Sequence, residues 1–215
     1  MSLPRAPSSL REVFRSSRVV LGSSSKWRAT VLSEAGCVIA GQVAPEVDER
    51  SIRGDTPERT CMAVAQAKTD AVLHLLKGMD YDYAICSDQV NVCCDEMRET
   101  PLSREEAIRF IQSYSAGNPV SCLNAVIVLD LRTGRRAAGW DSVMVSFDHI
   151  PPELIEGELT DPATSPLYTC SGSFSCWWPP MAKYVKDIEG GGLDSVMGTP
   201  LKLIEELFEQ LSSDV

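Results

Sequence analysis

Histidine is scarce: His74 and His149 are the two in 215 residues, which nearly excludes a multi-histidine metal centre. His74 falls among the leucines of a predicted helix and reads as a core or edge residue. His149 precedes Pro151-Pro152 and reads as a loop residue. No CxxC pair occurs. The eight cysteines are scattered, and Cys93–Cys94 stand too close together for a zinc knuckle. Several lie in apolar runs, such as Cys86 in YAIC, where a free cysteine behaves as a small hydrophobe. Reduced thiols in an intracellular compartment, with the cytoplasm as the expected location, fit better than a disulfide framework. No apolar run approaches the roughly 18 residues of a membrane span, so no membrane partner is expected. No internal repeat or low-complexity tract is present. Positive charge is the minority sign, 20 Lys+Arg against 30 Asp+Glu, for a net charge of −10. That balance argues against a nucleic-acid polymer as partner, because duplex binding needs a basic field. What remains is ordinary for a globular chain, with 44% hydrophobic and 23% charged residues. At this length one large domain or two intimately joined lobes fit.

Basic residues gather at the start. Residues 1–18 hold Arg5, Arg11, Arg15 and Arg18 against the single acid Glu12. This composition is transit-peptide-like and leaves mitochondrial targeting open. The preferred reading makes residues 1–17 a flexible, partly helical lead-in to a single domain of two lobes over 18–215. The C-terminal SSDV matches no recognised address. Within the domain, RVVLG at 18–22 reads as a buried strand, and Ser25 as the N-cap of a helix over 26–35 closed by Gly36. Thr56-Pro57-Glu58 opens a second helix running to about Lys77. Residues 83–94 read as a strand-like run broken at Ser87-Asp88-Gln89. Ser103 and Glu106 form a capping box for a third helix. Strands near 120–131 and 139–148 follow, joined by a turn at Arg132-Thr133-Gly134. Pro151-Pro152 starts a short helix, 157–176 reads as loop, and a strand near 193–197 leads through Thr199-Pro200 into a final amphipathic helix. Strands and helices alternate, so the class is α/β with a mixed sheet.

Four features could carry chemistry. LGSSSKWR at 21–28 runs from strand through a small-residue turn into a helix, an arrangement that offers backbone N–H groups and hydroxyls to phosphate. It is not a Walker loop, and a plain helix cap explains it as well. Lys68 lies inside the apolar stripe of the 57–77 helix, between Val64 and Val72. It must snorkel out, pair with a buried acid or face a cleft. Asp88 follows an apolar strand segment, where α/β sheets gather ligands; turn aspartates are also common. Glu46, Asp48 and Glu49 in APEVDE could hold a hard cation through oxygen, or form a solvated acidic loop. A chain of net charge −10 that binds an anion needs local positive potential. A helix N-terminus, Arg28, Lys68 and a carboxylate-held Mg²⁺ would supply it.

In this order the motifs resemble the Maf family of nucleotide pyrophosphatases, named for bacterial septum formation. LGSSSKWR, APEVDE, AQAKTDA around Lys68, CSDQV at 86–90, TP at 100–101, CSGSF at 170–174 and SVMGTPL at 195–201 carry the likeness, which spans residues 18–205. Trp27, Gln89 and the CSGSF segment resemble the branch that acts on 7-methyl-GTP. The resemblance implies a fold related to the inosine-triphosphate pyrophosphatases: an elongated α/β molecule of two lobes around a mixed sheet, with the active cleft between them. It implies Mg²⁺- or Mn²⁺-dependent hydrolysis of a nucleoside triphosphate to the monophosphate and pyrophosphate, and it suggests a homodimer. On this likeness Ser23, Ser25 and Arg28 touch phosphate, and Lys68 neutralises it. Asp48, with Glu49 beside it, helps hold the metal. Asp88 ligates the metal or acts as general base, and Trp27 and Gln89 shape base selectivity.

The sequence departs from the family pattern in places. Lys26 stands for a proline and Ala29 for a further arginine. Thr100 stands for the lysine of a KP dipeptide, at unchanged spacing from Asp88. SCWWPPMAK at 175–183 replaces a glycine-rich segment whose Gln or Glu reads the substrate. One lost charge-assisted contact is worth about 1.5–3 kcal/mol, or about ten- to a hundredfold in rate. The alternative expectation is therefore a catalytically weakened nucleotide-binding regulator of the same fold.

Overall fold

The computed structural model describes residues 3–213. Met1 and Ser2 of the lead-in, and Asp214 and Val215 of the C-terminal SSDV, lie outside the described residues. The elements follow in chain order as α1 Ser8–Ser16, β1 Val19–Gly22, α2 Lys26–Glu34, β2 Ile39–Gln42, α3 Pro57–Leu75, β3 Tyr83–Cys93, β4 Glu96–Arg98, α4 Arg104–Ser115, β5 Val120–Asp130, β6 Arg136–Phe147, α5 Pro152–Glu156, α6 Pro179–Ala182, β7 Val185–Glu189, α7 Leu193–Val196 and α8 Leu201–Ser213. The strands form one seven-stranded sheet in the order β2-β1-β3-β5-β6-β7, with β4 paired to β3 off that path. β1 runs parallel to both β2 and β3, whereas β4 on β3 and β7 on β6 are antiparallel. The class is thus α/β with a mixed, open sheet, as the alternation of strand and helix patterns implies.

The chain divides into two compact units. One comprises the chain up to Asp88, Asn124–Asp141 and the chain from Asp194. Its core joins Val20 of β1, Val72 and Leu76 from α3 and its end, Ala84 and Cys86 of β3, and Leu129 of β5, all buried. Val72 falls on the apolar stripe of α3, and burying such a side chain fully contributes about 1.5–3 kcal/mol. In the same unit α1 lays Leu10 and Phe14 inward, and the Phe14 ring stands edge-on to Phe208 of α8 at 6.3 Å. The other unit comprises Gln89–Leu123 and Ser142–Leu193. There Tyr114 stacks on Phe147 at 5.7 Å, and Phe174 meets both rings edge-on at 5.8 Å. The Tyr114 hydroxyl donates to the Gly172 carbonyl at 2.7 Å.

Three helix starts sit at the residues whose side chains cap them. Ser25 accepts from the Arg28 amide, Thr56 from Arg59 and Ser103 from Glu106. Two expectations are corrected. β3 runs unbroken through Ser87-Asp88-Gln89, because the polar side chains find partners inside the fold and need no turn. The segment expected as a strand at 193–197 is instead the helical turn α7. The strand nearby is β7, which pairs Ile188 with Val145 and Glu189 with Met144.

Candidate active site

Gly22 ends β1 and pairs with Cys86 of β3. A Cβ there would stand 2.5 Å from the Cys86 Sγ and 3.0 Å from a Val72 methyl, so only glycine lets the strand end this close to β3 and α3. The chain then turns through three serines into α2. The Ser25 hydroxyl accepts from the Arg28 amide at 3.4 Å. The Ser23 hydroxyl accepts from the Ser25 amide at 3.1 Å and from Arg28 Nη1 at 3.2 Å. Arg28 Nη1 also donates to the Ser87 carbonyl at 2.9 Å, and Gln42 Nε2 donates to the Ser23 carbonyl at 2.7 Å. The guanidinium is thereby fixed over the first turn of α2, where the helix dipole is already positive.

Gly198 completes this corner. Its φ is +79°, and a Cβ on it would meet Arg28 Nε at 3.0 Å. Its carbonyl accepts from the Ser87 hydroxyl at 3.4 Å. The backbone at Gly198 thus rests against the arginine.

The second cluster stands on the neighbouring residue of β3. Lys68 Nζ of α3 lies 2.8 Å from Asp88 Oδ1 and 2.8 Å from Glu49 Oε1. Lys68 and Asp88 are 7% and 6% exposed, whereas the Glu49 side chain is 47% exposed. Of the three outcomes open to a lysine in an apolar stripe, pairing with a buried acid is the one realised. A buried charge is tolerated only when paired, and here one cation faces two carboxylates, leaving one negative charge in excess. That excess, carried on oxygen, suits a hard cation. Magnesium takes one or two carboxylates and fills its shell with water and phosphate oxygens. Among the described residues no group of three or more His, Cys, Asp or Glu side chains could cage an ion. Asp88 with Glu49 therefore fits the shared mode of Mg²⁺ or Mn²⁺ binding rather than a closed protein site.

The expected residues divide on this geometry. Lys68, Asp88 and Glu49 meet, as do Arg28, Ser23 and Ser25. Asp48 does not join either cluster: it is exposed, precedes the short turn Glu49–Ser51 and makes no side-chain capping bond. Its carbonyl accepts from the Ser51 amide and hydroxyl, so Glu49, one residue on, is the acid that reaches Lys68. Trp27 is half-buried on the first turn of α2. Gln89 is half-buried on β3 and belongs to the other unit; alternation along the strand points it away from the face of Asp88.

Gln42, Ser87 and Gly198 were not singled out from the sequence as site residues. Ser87 and Gly198 lie inside the motifs CSDQV and SVMGTPL, which offered a signal. Gln42, at the end of β2, offered none. Cys86 adjoins both clusters, yet burial pushes its thiol up to about 11, against the hydrogen bond with Thr69 and the charges of Lys68, Arg136 and Arg28. It stays protonated at neutral pH and supplies no thiolate nucleophile.

Residues 18–211 match the family model described as Maf-like protein. The chain is 30% identical over 199 residues to a 7-methyl-GTP pyrophosphatase of Dictyostelium discoideum, covering 90% of this chain and 97% of that protein. It is 32% identical over 160 residues to a 7-methyl-GTP pyrophosphatase of Idiomarina loihiensis, covering 73% and 76%. A nucleoside triphosphate pyrophosphatase of Anaplasma marginale is 30% identical over 109 residues, covering 51% and 54%. With a model match over nearly its whole length, and with the serine turn at the end of β1 and the lysine of α3 paired to the aspartate in the middle of β3, this chain belongs to the Maf family.

Proposed function

We propose that the chain hydrolyses nucleoside triphosphates between the α- and β-phosphates, with 7-methyl-GTP as its preferred substrate. The observation that carries this is the pair of cationic groups, Arg28 on Ser23 and Lys68 on Asp88, seated by the end of β1 and the middle of the neighbouring β3 in a protein of net charge −10. The names of the relatives support the reaction class. In the reaction a water oxygen bonds to the α-phosphorus as the bond from that phosphorus to the bridging oxygen breaks. Pyrophosphate leaves, and Asp88 accepts the proton of the attacking water. Arg28 and Lys68 hold the charge that builds on the phosphate oxygens. Magnesium or manganese on Asp88, with Glu49 or Asp48 through water, would add Lewis-acid stabilisation to that charge. Trp27 stacks on the cationic methylated base, worth about 0.5–2 kcal/mol of preference over GTP.

Pyrophosphate release from a panel of 7-methyl-GTP, GTP, dTTP and UTP with Mg²⁺ tests the reading. Turnover of 7-methyl-GTP is expected to exceed that of GTP by about two- to thirtyfold. Asp88→Asn should lower kcat by about 10²–10⁴. No pyrophosphate from any nucleotide would refute it. Tight binding without turnover, with activity restored by Thr100→Lys, would instead favour the regulator that Thr100 and the SCWWPP segment suggest.

A further inference from the structure

The β3–β4 hairpin lies outside these clusters. Cys93 pairs with Glu96, so Cys94 and Asp95 alone make the turn. Their φ angles are 53° and 58°, the two positive values that a type I′ turn requires. Asn, Asp and Gly usually fill such positions; here a cysteine takes the first. Along an extended strand adjacent side chains point to opposite faces. The left-handed residue turns the second thiol back, and the two Sγ atoms lie 3.8 Å apart. Cys94 is exposed, whereas Cys93 and the other six cysteines are buried, so this pair holds the one thiol that solvent reaches freely. The Ser113 hydroxyl of α4 stands 3.5 Å from Cys93 Sγ and 4.0 Å from Cys94 Sγ. It accepts in turn from Arg98 Nη2 at 3.2 Å.

We propose that Cys93 and Cys94 form a two-thiolate binding site for a soft divalent cation of the zinc and cadmium type. A zinc–thiolate bond is about 2.3 Å long, and two of them at the tetrahedral angle set their sulfurs about 3.8 Å apart, the separation found here. A disulfide fits worse. It needs sulfurs at about 2.05 Å and Cα atoms beyond about 4.4 Å, while neighbouring residues across a trans peptide have Cα atoms about 3.8 Å apart. On binding, two S–H bonds break, two metal–sulfur bonds form and two protons pass to solvent, with no change of oxidation state. Burial holds the Cys93 thiol above its ordinary value and the neighbouring Cys94 adds to this, while the Ser113 hydroxyl and the charge of Arg98 act in the opposite direction; the metal charge would have to displace the proton. Among the described residues no cluster of three or more ligating side chains occurs, so water or a small thiol fills the remaining positions. Sulfur ligands select against magnesium, which separates this site from the oxygen-lined one.

Titration of the reduced full chain with Cd²⁺, followed by thiolate-to-cadmium charge-transfer absorption in the ultraviolet, tests the proposal. One equivalent should saturate the band, and Cys94→Ser and Cys93→Ser should each abolish it, while Asp88→Asn and Glu49→Gln leave it unchanged. Competition with a chromophoric chelator should show Zn²⁺ affinity reduced at least about tenfold in Cys94→Ser, equivalent to about 1.4 kcal/mol. Cys94 is exposed, so its variant decides the matter even where Cys93→Ser does not fold. Absence of the band in the parent protein, or its persistence in a folded single variant, would overturn the proposal.

Discussion

Lys68 shows how a single residue can contradict its surroundings and so betray a role. It stands between Val64 and Val72 on a largely apolar face of α3, and the structure buries it against Asp88. The two partners of its ammonium differ in environment, and their removal should differ accordingly. Asp88→Leu takes the buried partner from a buried ammonium, a loss of about 3–5 kcal/mol. Glu49→Gln removes a carboxylate whose side chain is 47% exposed, worth less than about 1 kcal/mol. Urea unfolding of both variants checks the contrast; equal losses would mean that the buried and exposed partners matter alike. Asp141 gives a second prediction with the opposite sign of pH dependence from a paired surface acid. Burial raises its carboxyl above 3.8, although Asn124 and Ser195 hydrogen-bond it, and the charge of Asp194 pushes it further up. The folded chain therefore holds this proton more tightly than the unfolded one. The contribution to stability is present in acid and is lost as pH climbs from about 4 through the raised value. Asp141→Asn keeps an oxygen to accept from Asn124 Nδ2 and removes the ionisation. Its unfolding free energy should exceed that of the parent at pH 7, and the gap should close toward pH 4. A gap independent of pH would refute the assignment.

At the scale of elements, what was legible in the sequence was whatever chemistry acts within a few residues. Ser25, Thr56 and Ser103 cap α2, α3 and α4 because a hydroxyl and an amide three positions on lie within reach of each other. Elements defined by distant partners were not legible. β7 reads VKDIE, with its exposed and half-buried residues following no strict alternation; only its pairing with β6 makes it a strand. LDSVM at 193–197 is too short, with polar residues among its apolar ones, for periodicity to assign it. The Asp194 carbonyl accepts from the Thr199 amide and its carboxylate from the Leu201 amide, which curls the segment toward α8. Ser87-Asp88-Gln89 looked like a turn because these residue types favour turns. The strand persists because Gly198 and Lys68 satisfy Ser87 and Asp88. α1 yields the prediction at this scale. Phe14 is 2% exposed and meets Phe208 edge-on, and the Ser9 hydroxyl bonds Glu205 of α8. Phe14→Ala should therefore lower the unfolding free energy by about 3–5 kcal/mol, measured by denaturant titration of the full chain. A silent substitution would show that α1 adds nothing to the fold.

For the molecule as a whole, the governing fact is that a chain of net charge −10 must gather positive charge in one place before a polyphosphate can approach. The sequence disclosed the charge balance and several contributors, Arg28, Lys68 and the helix start at Ser25. It could not disclose that Gly198, 170 positions beyond Arg28, would press its backbone against the guanidinium, because that contact exists only once the chain is folded. The two scales of electrostatics respond differently to salt. The diffuse negative field acts over the Debye length, about 30 Å at 0.01 M and about 10 Å at 0.1 M. The contacts of Arg28 and Lys68, near 3 Å and partly or fully buried, are screened far less. Raising monovalent salt from about 0.01 to 0.1 M should thus relieve self-repulsion and raise Tm. It should also raise kcat/KM for the nucleotide, because the long-range repulsion of substrate weakens before the local attraction does. Parallel measurement of Tm by calorimetry and of kcat/KM by pyrophosphate release checks both arms. A fall in kcat/KM over this range would mean that the local cations govern the field met by the incoming anion, and that the acidic remainder of the surface does not oppose it.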